Sequence, residues 1–305
     1  MPTDLLRIAP EVATALAAGQ AVVALESTLI THGLAYPANV DAARRSEAAV
    51  RAHGAIPATV AVHDGAILVG IDDTQLDALA LADRPAKVAR QNLSAQLLRR
   101  GWAGTTVSAT MIAAHLAGIR VFATGGIGGV HRGGQDNMDI SGDLDELART
   151  PVTVVCAGPK SILDVGRTLE VLETRGVPVI GYGTDDLPGF YSRESGHRVP
   201  VRVDSAEEAA RLMRAHDRLG LGSGILVTVP LPEAAAIPRA EIEAAIDRAV
   251  RETDAAGIHG PASTPAVLAR VAVLTDGRSV AANLALIEHD AAVAARIAVA
   301  FAAAG

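Results

Sequence analysis

A short apolar strand that stops at Gly-Pro-Lys constrains this chain more than any other stretch. In Pro151-Val-Thr-Val-Val-Cys-Ala-Gly-Pro-Lys160-Ser-Ile-Leu-Asp164, residues 152 to 156 are β-branched or small and apolar, the signature of a buried strand. Gly158 and Pro159 break it, and Pro159 suits a first helical position, where its missing N–H costs nothing. The apolar spacing of Ile162, Leu163, Val165, Leu169 and Leu172 predicts a helix from there on. Lys160 is therefore expected in the first turn of a helix at the carboxyl end of a buried strand. A helix dipole and partial burial both favour a neutral amine there, which suits a Schiff-base nucleophile. The alternative is a lysine that snorkels to solvent.

Bulk properties narrow the class. A chain of 305 residues makes one or two domains. Half the residues are apolar, with only three Phe, three Tyr and one Trp, so the core is built from alanine and aliphatic side chains. A net charge of −7 without a basic block argues against nucleic-acid binding. The single cysteine, Cys156, lies in the strand above, excludes an internal disulfide and fits a reducing cytoplasm. No basic-then-apolar leader is visible and no run of 18 uncharged apolar residues occurs. The alanine-rich stretch from Ala291 to Ala304 carries Arg296 and reads as a packed helix. The expectation is a soluble cytoplasmic enzyme with no membrane or nucleic-acid partner.

The remaining segments alternate between strands and helices. Leu5 to Ala18 reads as a helix closed by Gly19, and Ala21 to Leu25 as a strand running into Glu26-Ser-Thr-Leu-Ile-Thr-His-Gly33. A carboxylate at a strand end followed by hydroxyl residues is a common site layout in an α/β sheet; a solvent-facing glutamate is the alternative. Pro37 to His53 is helical. Thr59 to His63 and Ala66 to Val69 flank Asp64-Gly65, a strong hairpin signal, so the sheet should be mixed. Asp72 opens a helix with acidic residues in its first turn. Lys87 and Arg90 suit either an anionic ligand or a solvated basic edge. The hydroxyl-rich Gly104 to Thr110 opens a helix from Met111 to Ala117 and suits a phosphate or sugar.

A strand from Ile119 to Ala123 then runs into Thr124-Gly-Gly-Ile-Gly-Gly-Val-His-Arg-Gly-Gly134. Its glycines let the backbone approach a ligand, yet the run matches neither a dinucleotide fingerprint nor a Walker loop. In Asp136-Asn-Met-Asp139-Ile-Ser141-Gly142-Asp143, Asp139 can give one oxygen to a divalent ion that keeps its waters, and Asp143 is either a ligand-binding residue or a helix N-cap. Strands follow at 177–181 and 224–229, with a helix from Ala206 to Leu219. The aromatic cluster between Tyr182 and Tyr191 covers either a flat base or the core. Helices from Pro238 to Ala256 and over 266–275 precede a last helix carrying Asn283, which points either at a ligand or into local packing. The fold class read from this order is α/β: one compact α/β/α domain over residues 1–305, a mixed sheet with helices on both faces.

Three runs carry a family resemblance: Ala24 to Thr28, Phe122 to Arg132 and Val154 to Asp164. Together with Asp139 to Ser141, Gly260 to Ala269 and Asn283, they closely resemble pseudouridine-5′-phosphate glycosidases, from about Ala21 to Ala298. One segment departs from the family pattern Lys-Val-Ser-Arg-Arg-Asp, reading Lys87-Val-Ala-Arg-Gln-Asn92 here. The resemblance implies reversible cleavage of pseudouridine 5′-phosphate to uracil and ribose 5-phosphate, a pseudouridylate synthase activity classed with the carbon–oxygen lyases. It implies a Mn²⁺ ion, a homotrimer and an α/β/α fold. By position, Glu26 resembles the proton donor, Lys160 the nucleophile and Asp139 the metal ligand. Lys87, Val107, Ser141, Gly142 and Asp143 resemble substrate-binding positions, and Thr124, His131 and Asn283 are further candidates. A Schiff-base aldolase or lyase on another sugar phosphate, and a non-catalytic sugar-phosphate sensor, are the rival readings.

Overall fold

The computed structural model describes residues 5–134, 138–258 and 263–304. Residues 135–137, with Asp136, and 259–262, with Gly260, lie outside the described residues. In chain order the strands are β1 (Leu6–Ile8), β2 (Val22–Leu25), β3 (Ile56–His63), β4 (Ala66–Val69), β5 (Ala86–Val88), β6 (Trp102–Thr105), β7 (Val121–Ala123), β8 (Val130–His131), β9 (Thr153–Cys156), β10 (Leu163–Asp164), β11 (Val179–Tyr182), β12 (Val201–Val203) and β13 (Ile225–Thr228). The helices are α1 (Pro10–Ala17), α2 (Ala38–Ala52), α3 (Asp73–Ala80), α4 (Arg90–Gln96), α5 (Val107–Ala117), α6 (Gly142–Leu147), α7 (Val165–Thr174), α8 (Ala206–Leu219), α9 (Arg239–Ala255), α10 (Ser263–Leu274) and α11 (Arg278–Ala303).

Eleven strands form one sheet in the order β1-β4-β3-β2-β7-β9-β13-β11-β12, with β6 on β3 and β5 on β6. Every pairing from β3 through β2, β7, β9, β13 and β11 to β12 is parallel. The sheet is mixed because β3 is long and changes partners. Its first half, 56–59, pairs β2 in parallel, and its second half meets β4 and β6 antiparallel. Asp64 and Gly65 make the turn to β4 with φ of 43° and 79°, as an Asp-Gly hairpin requires. Apolar side chains from α1 and α5 cover one face of the sheet, and α2, α8 and α11 cover the other. The three-layer α/β/α expectation is met. Above the carboxyl ends of the strands, α9, α10 and the start of α11 pack with Phe190 and Tyr191 into a third apolar cluster, a helical cap.

Three local expectations need correction. Leu6–Ile8 is a strand, not helix, because it completes the free edge of β4 in parallel register, and the helix starts only at Pro10. Trp102–Thr105 is also a strand, and the helix after it begins at Val107 rather than Met111. The third concerns Lys160, which is not in a helix. Pro159 bridges Ile127, and Leu163–Asp164 pair antiparallel with Val130–His131. Pairing with the glycine-rich run at both ends makes 159–164 a turn, closed by Leu163 N–H to Lys160 O at 3.0 Å, and α7 begins only at Val165, capped by Asp164 accepting from Arg167 N–H at 3.0 Å. No helix dipole acts on Lys160.

One core group stands out. Asp290 on α11 is 1% exposed, and no side chain among the described residues pairs with its carboxyl, which the Ala157 backbone N–H alone approaches. Burial pushes its pKa well above the ordinary carboxylate range, so the folded protein holds a proton there that the unfolded chain gives up near pH 4. The stability this group confers is full below that pH and is lost as pH rises through the folded pKa. Glu26 and Glu47, also raised by burial, act in the same direction. Urea midpoints of the wild type should therefore fall between pH 5 and pH 8 by more than those of Asp290→Asn, which carries no titrating proton. Parallel declines in the two proteins would remove Asp290 from this account.

Candidate active site

The site grows from the register of β2, β7 and β9. Leu25 pairs with Ala123, and Ala123 with Val155, so three parallel strands end side by side. The residues that follow are Glu26, Thr124 and, past a tight turn, Lys160. The sheet's connections diverge here, with β3 on one side of β2 and β7 on the other, which is where α/β sheets open a crevice. One pocket is lined by Glu26, Lys87, Thr124, Lys160 and Asn283, with Leu29, Phe190, Leu268 and Ile287 on its apolar side. It encloses about 100 Å³.

Each polar group is held from behind. Thr124 donates its hydroxyl proton to Glu26 Oε1. The Lys160 backbone is fixed by its N–H to Ile127 O at 3.0 Å, and its own carbonyl accepts from Leu163 N–H at 3.0 Å. Lys87 lies on β5 opposite Gly104, and Asn92 Nδ2 donates to the Lys87 carbonyl at 3.0 Å while Asn92 Oδ1 accepts from Ala89 N–H at 2.8 Å. The departure at Asn92 thus falls on a residue that anchors the Lys87 strand. Burial raises the Glu26 pKa, with the charge of Lys160 and the Thr124 hydrogen bond pulling back. Burial lowers the Lys87 pKa, and the charge of Lys160 lowers it further. Both shifts oppose crowding of full charges in a partly dry pocket.

The glycine-rich run makes room for the protein's own side chains. A Cβ on Gly125 would stand 2.9 Å from Leu286 Cδ1, and one on Gly126 2.7 Å from the Phe190 ring. At Gly128 it would lie 2.2 Å from Ser141 Oγ, and at Gly129 2.4 Å from Thr168 Oγ1. Asp143 is not the N-cap, a place taken by Ser141. It is buried, and its two oxygens accept from Ser108 N–H at 3.0 Å and Gly128 N–H at 2.9 Å. A carboxylate of the protein therefore already occupies the start of α5. Arg90 is likewise engaged, its guanidinium held by the fully buried Glu146.

A profile of the family described as "Indigoidine synthase A like protein" matches residues 11–300. A pseudouridine-5′-phosphate glycosidase of Methylobacterium nodulans is 57% identical over 300 residues, covering 98% of this chain and 89% of its own length. Another, of Jannaschia sp., is 54% identical and covers 96% and 97%. The chain belongs to the pseudouridine-5′-phosphate glycosidase family. Among solved structures, that of the prealnumycin C-glycosynthase AlnA in complex with ribulose 5-phosphate superposes with a TM-score of 0.92 at 40% identity, covering 99% of both chains. An indigoidine synthase A-like protein from Thermotoga maritima gives 0.87 at 34%, covering 97% and 96%.

Of the positions expected to matter in a member of the pseudouridine-5′-phosphate glycosidase family, the pocket wall gathers Glu26, Lys87, Thr124, Lys160 and Asn283. It does not include Val107, His131, Asp139, Ser141, Gly142 or Asp143. Val107 is buried in the first turn of α5. Ser141, Gly142 and Asp143 brace the glycine-rich run from outside. Asp139 lies on the outer turn of that run, about half exposed, with Oδ2 3.8 Å from His131 Nδ1. A hard carboxylate beside an imidazole, open to water, is a donor set that fits Mn²⁺. Among the described residues no group of three or more His, Cys, Asp or Glu could hold a metal by itself, so such an ion would keep waters. His32, inside the hydroxyl-rich run after Glu26, is a pocket residue that escaped the sequence reading; from the aromatic cluster between Tyr182 and Tyr191, Phe190 reaches the pocket, its ring lying on Gly126 and meeting Tyr191 edge-on at 4.7 Å.

Proposed function

We propose that this protein cleaves the C1′–C5 bond of pseudouridine 5′-phosphate reversibly, giving uracil and ribose 5-phosphate. The convergence of Glu26 after β2, Lys160 after β9 and Lys87 on β5 in one pocket with an apolar side carries the reading. The named relatives and the sugar phosphate in the AlnA structure support it.

The bond to be cut joins two carbons, so protonating a glycosidic oxygen is not an available route. Glu26, whose pKa burial raises, gives its proton to the ribose ring oxygen as the C1′–O4′ bond breaks. The Lys160 amine bonds to C1′. Uracil C5 takes up a proton, the C1′–C5 bond breaks with its electron pair restoring the C5–C6 double bond, and a lysine–sugar imine remains. Water hydrolyses the imine to ribose 5-phosphate and frees Lys160. Splitting one hard step into several is what covalent catalysis supplies. Thr124 orients Glu26. Lys87 and Asn283 contact the substrate and the Phe190 side faces the base, while Val107, His131, Ser141, Gly142 and Asp143 act from outside the pocket wall, around the glycine-rich run. Mn²⁺, held by Asp139, would supply positive charge to substrate oxygens.

Incubation with pseudouridine 5′-phosphate and Mn²⁺ should release uracil, read by absorbance. EDTA should abolish the activity, Mn²⁺ should restore it, and Asp139→Ala should fold normally yet be inactive. Full activity after chelation removes the metal from the proposal. A Schiff-base lyase on another sugar phosphate would leave pseudouridine 5′-phosphate intact while reacting with its own substrate. The proposal includes a homotrimer in the cytoplasm. Sedimentation should find a species near three times the 31.2 kDa chain mass, and a monomer at micromolar concentration rules the trimer out. No described helix is long and apolar enough to cross a membrane.

A further inference from the structure

The turn after Glu26 and the strand that carries Lys87 are packed together, and His32 stands where they meet. Residues 29–33 form a single π-helical turn. The buried Asn39 pins this turn by donating to Ile30 O at 2.7 Å. Thr31 presses on Gly104 so closely that a Cβ there would lie 2.1 Å from Thr31 Oγ1. Gly104 is in turn the register partner of Lys87. The His32 ring lines the same pocket as Glu26, Lys87 and Lys160. Its Nδ1 is 2.7 Å from Thr31 Oγ1, and the ring also hydrogen-bonds the backbone of Pro85, two residues before Lys87. Burial first, and the neighbouring charge of Lys87 second, hold the imidazole below its ordinary pKa. A neutral ring has one acceptor and one donor nitrogen. The Pro85 carbonyl can only accept, so a ring N–H donates to it; the Thr31 hydroxyl, which also reaches Ser27 O at 3.2 Å, lies nearer to Nδ1 at 2.7 Å and donates there, leaving Nε2–H for Pro85.

We propose that His32 is a positioning residue, a clip joining Thr31 to the Pro85 carbonyl so that the Lys87 amine is fixed relative to Glu26. The proposal rests on the reading of this pocket as a pseudouridine-5′-phosphate glycosidase site. Lys160 is anchored separately, through Ile127. Steps that need Lys87 and Glu26 in register therefore depend on His32, whereas attachment of an open-chain sugar aldehyde to Lys160 does not.

Two amides separate the ends of the clip. Gln reaches as far as Nε2 and can still donate to Pro85, while Asn reaches only as far as Nδ1. His32→Gln should keep most of the wild-type kcat. His32→Asn and His32→Ala should lose about tenfold or more in kcat, the scale of a small misplacement of reacting groups, with KM changing less. All three should melt like the wild type and trap ribose 5-phosphate on Lys160 with borohydride to the wild-type extent. Equal kcat values for the Gln and Asn variants overturn the proposal. So does loss of trapping together with turnover, which makes His32 a support of the whole pocket. If the wild type itself releases no uracil from pseudouridine 5′-phosphate, the activity is wrong and the proposal falls with it.

Discussion

Lys160→Ala is expected to release no uracil, with a loss on the order of 10⁶ in kcat, the scale reported for removing a covalent nucleophile. The variant should fold and still bind substrate, because its backbone contacts to Ile127 and Leu163 do not involve the side chain. Lys160→Arg should be equally inactive, since a guanidinium stays protonated and cannot attack carbon. Ribose 5-phosphate and borohydride should leave a pentose phosphate on Lys160 of the wild type, seen by mass spectrometry, and nothing on either variant. Lys87 lines the same pocket and its pKa is lowered, so the adduct site is a real choice between two amines. Mass mapped to Lys87 reverses their roles. No adduct anywhere, with turnover in Lys160→Ala, ends the imine mechanism.

Glu26→Gln should bind substrate but lose on the order of 10² to 10⁴ in kcat, the usual contribution of general acid catalysis, or about 2.7 to 5.4 kcal/mol of barrier. The amide keeps the size and can still accept from Thr124, but it carries no acidic proton. The sign of the pH effect follows from the raised pKa. Protonated Glu26 is the working form, so wild-type kcat falls as pH rises through that pKa. The residual rate of Glu26→Gln should lack this limb. A variant that turns over normally, or keeps the same alkaline limb, identifies Glu26 as a strand-end residue and nothing more.

The periodic signals carried most of the layer order. The β-branched runs at 22–25, 153–156 and 225–228 are strands of the parallel sheet, and the Asp-Gly hairpin announced the antiparallel excursion. What escaped was set by pairing at a distance. Leu6–Ile8 is too short to read as a strand without knowing that β4 has a free edge. Residues 159–164 have helical spacing, yet the bridge to Ile127 and the ladder to Val130 and His131 pin them as a turn between two pairings. The site followed the same rule. Glu26, Thr124 and Lys160 were legible because each follows a recognisable strand. The tasks of Asp143, Arg90 and His32 were not, because Ser108, Glu146 and Pro85 lie 35, 56 and 53 residues away in sequence, outside any local pattern.

The crowding of Gly125, Gly126, Gly128 and Gly129 by four different parts of the chain has a consequence for how such a protein can diverge. Any side chain at these positions must displace α11, the Phe190 loop, the Ser141 cap or Thr168. Overpacking typically costs about 1 to 3 kcal/mol per site, against a total stability of about 5 to 15 kcal/mol. Two such changes at once cost about 2 to 6 kcal/mol, a large share of that margin, so substitution on this side of the pocket is costly. New acceptor molecules are more easily reached by altering Leu268 or Pro265, pocket residues on α10, which comes from a cap that contributes no strand to the central sheet. Laboratory libraries aimed at other carbon nucleophiles belong on those α10 positions, with the glycines left alone.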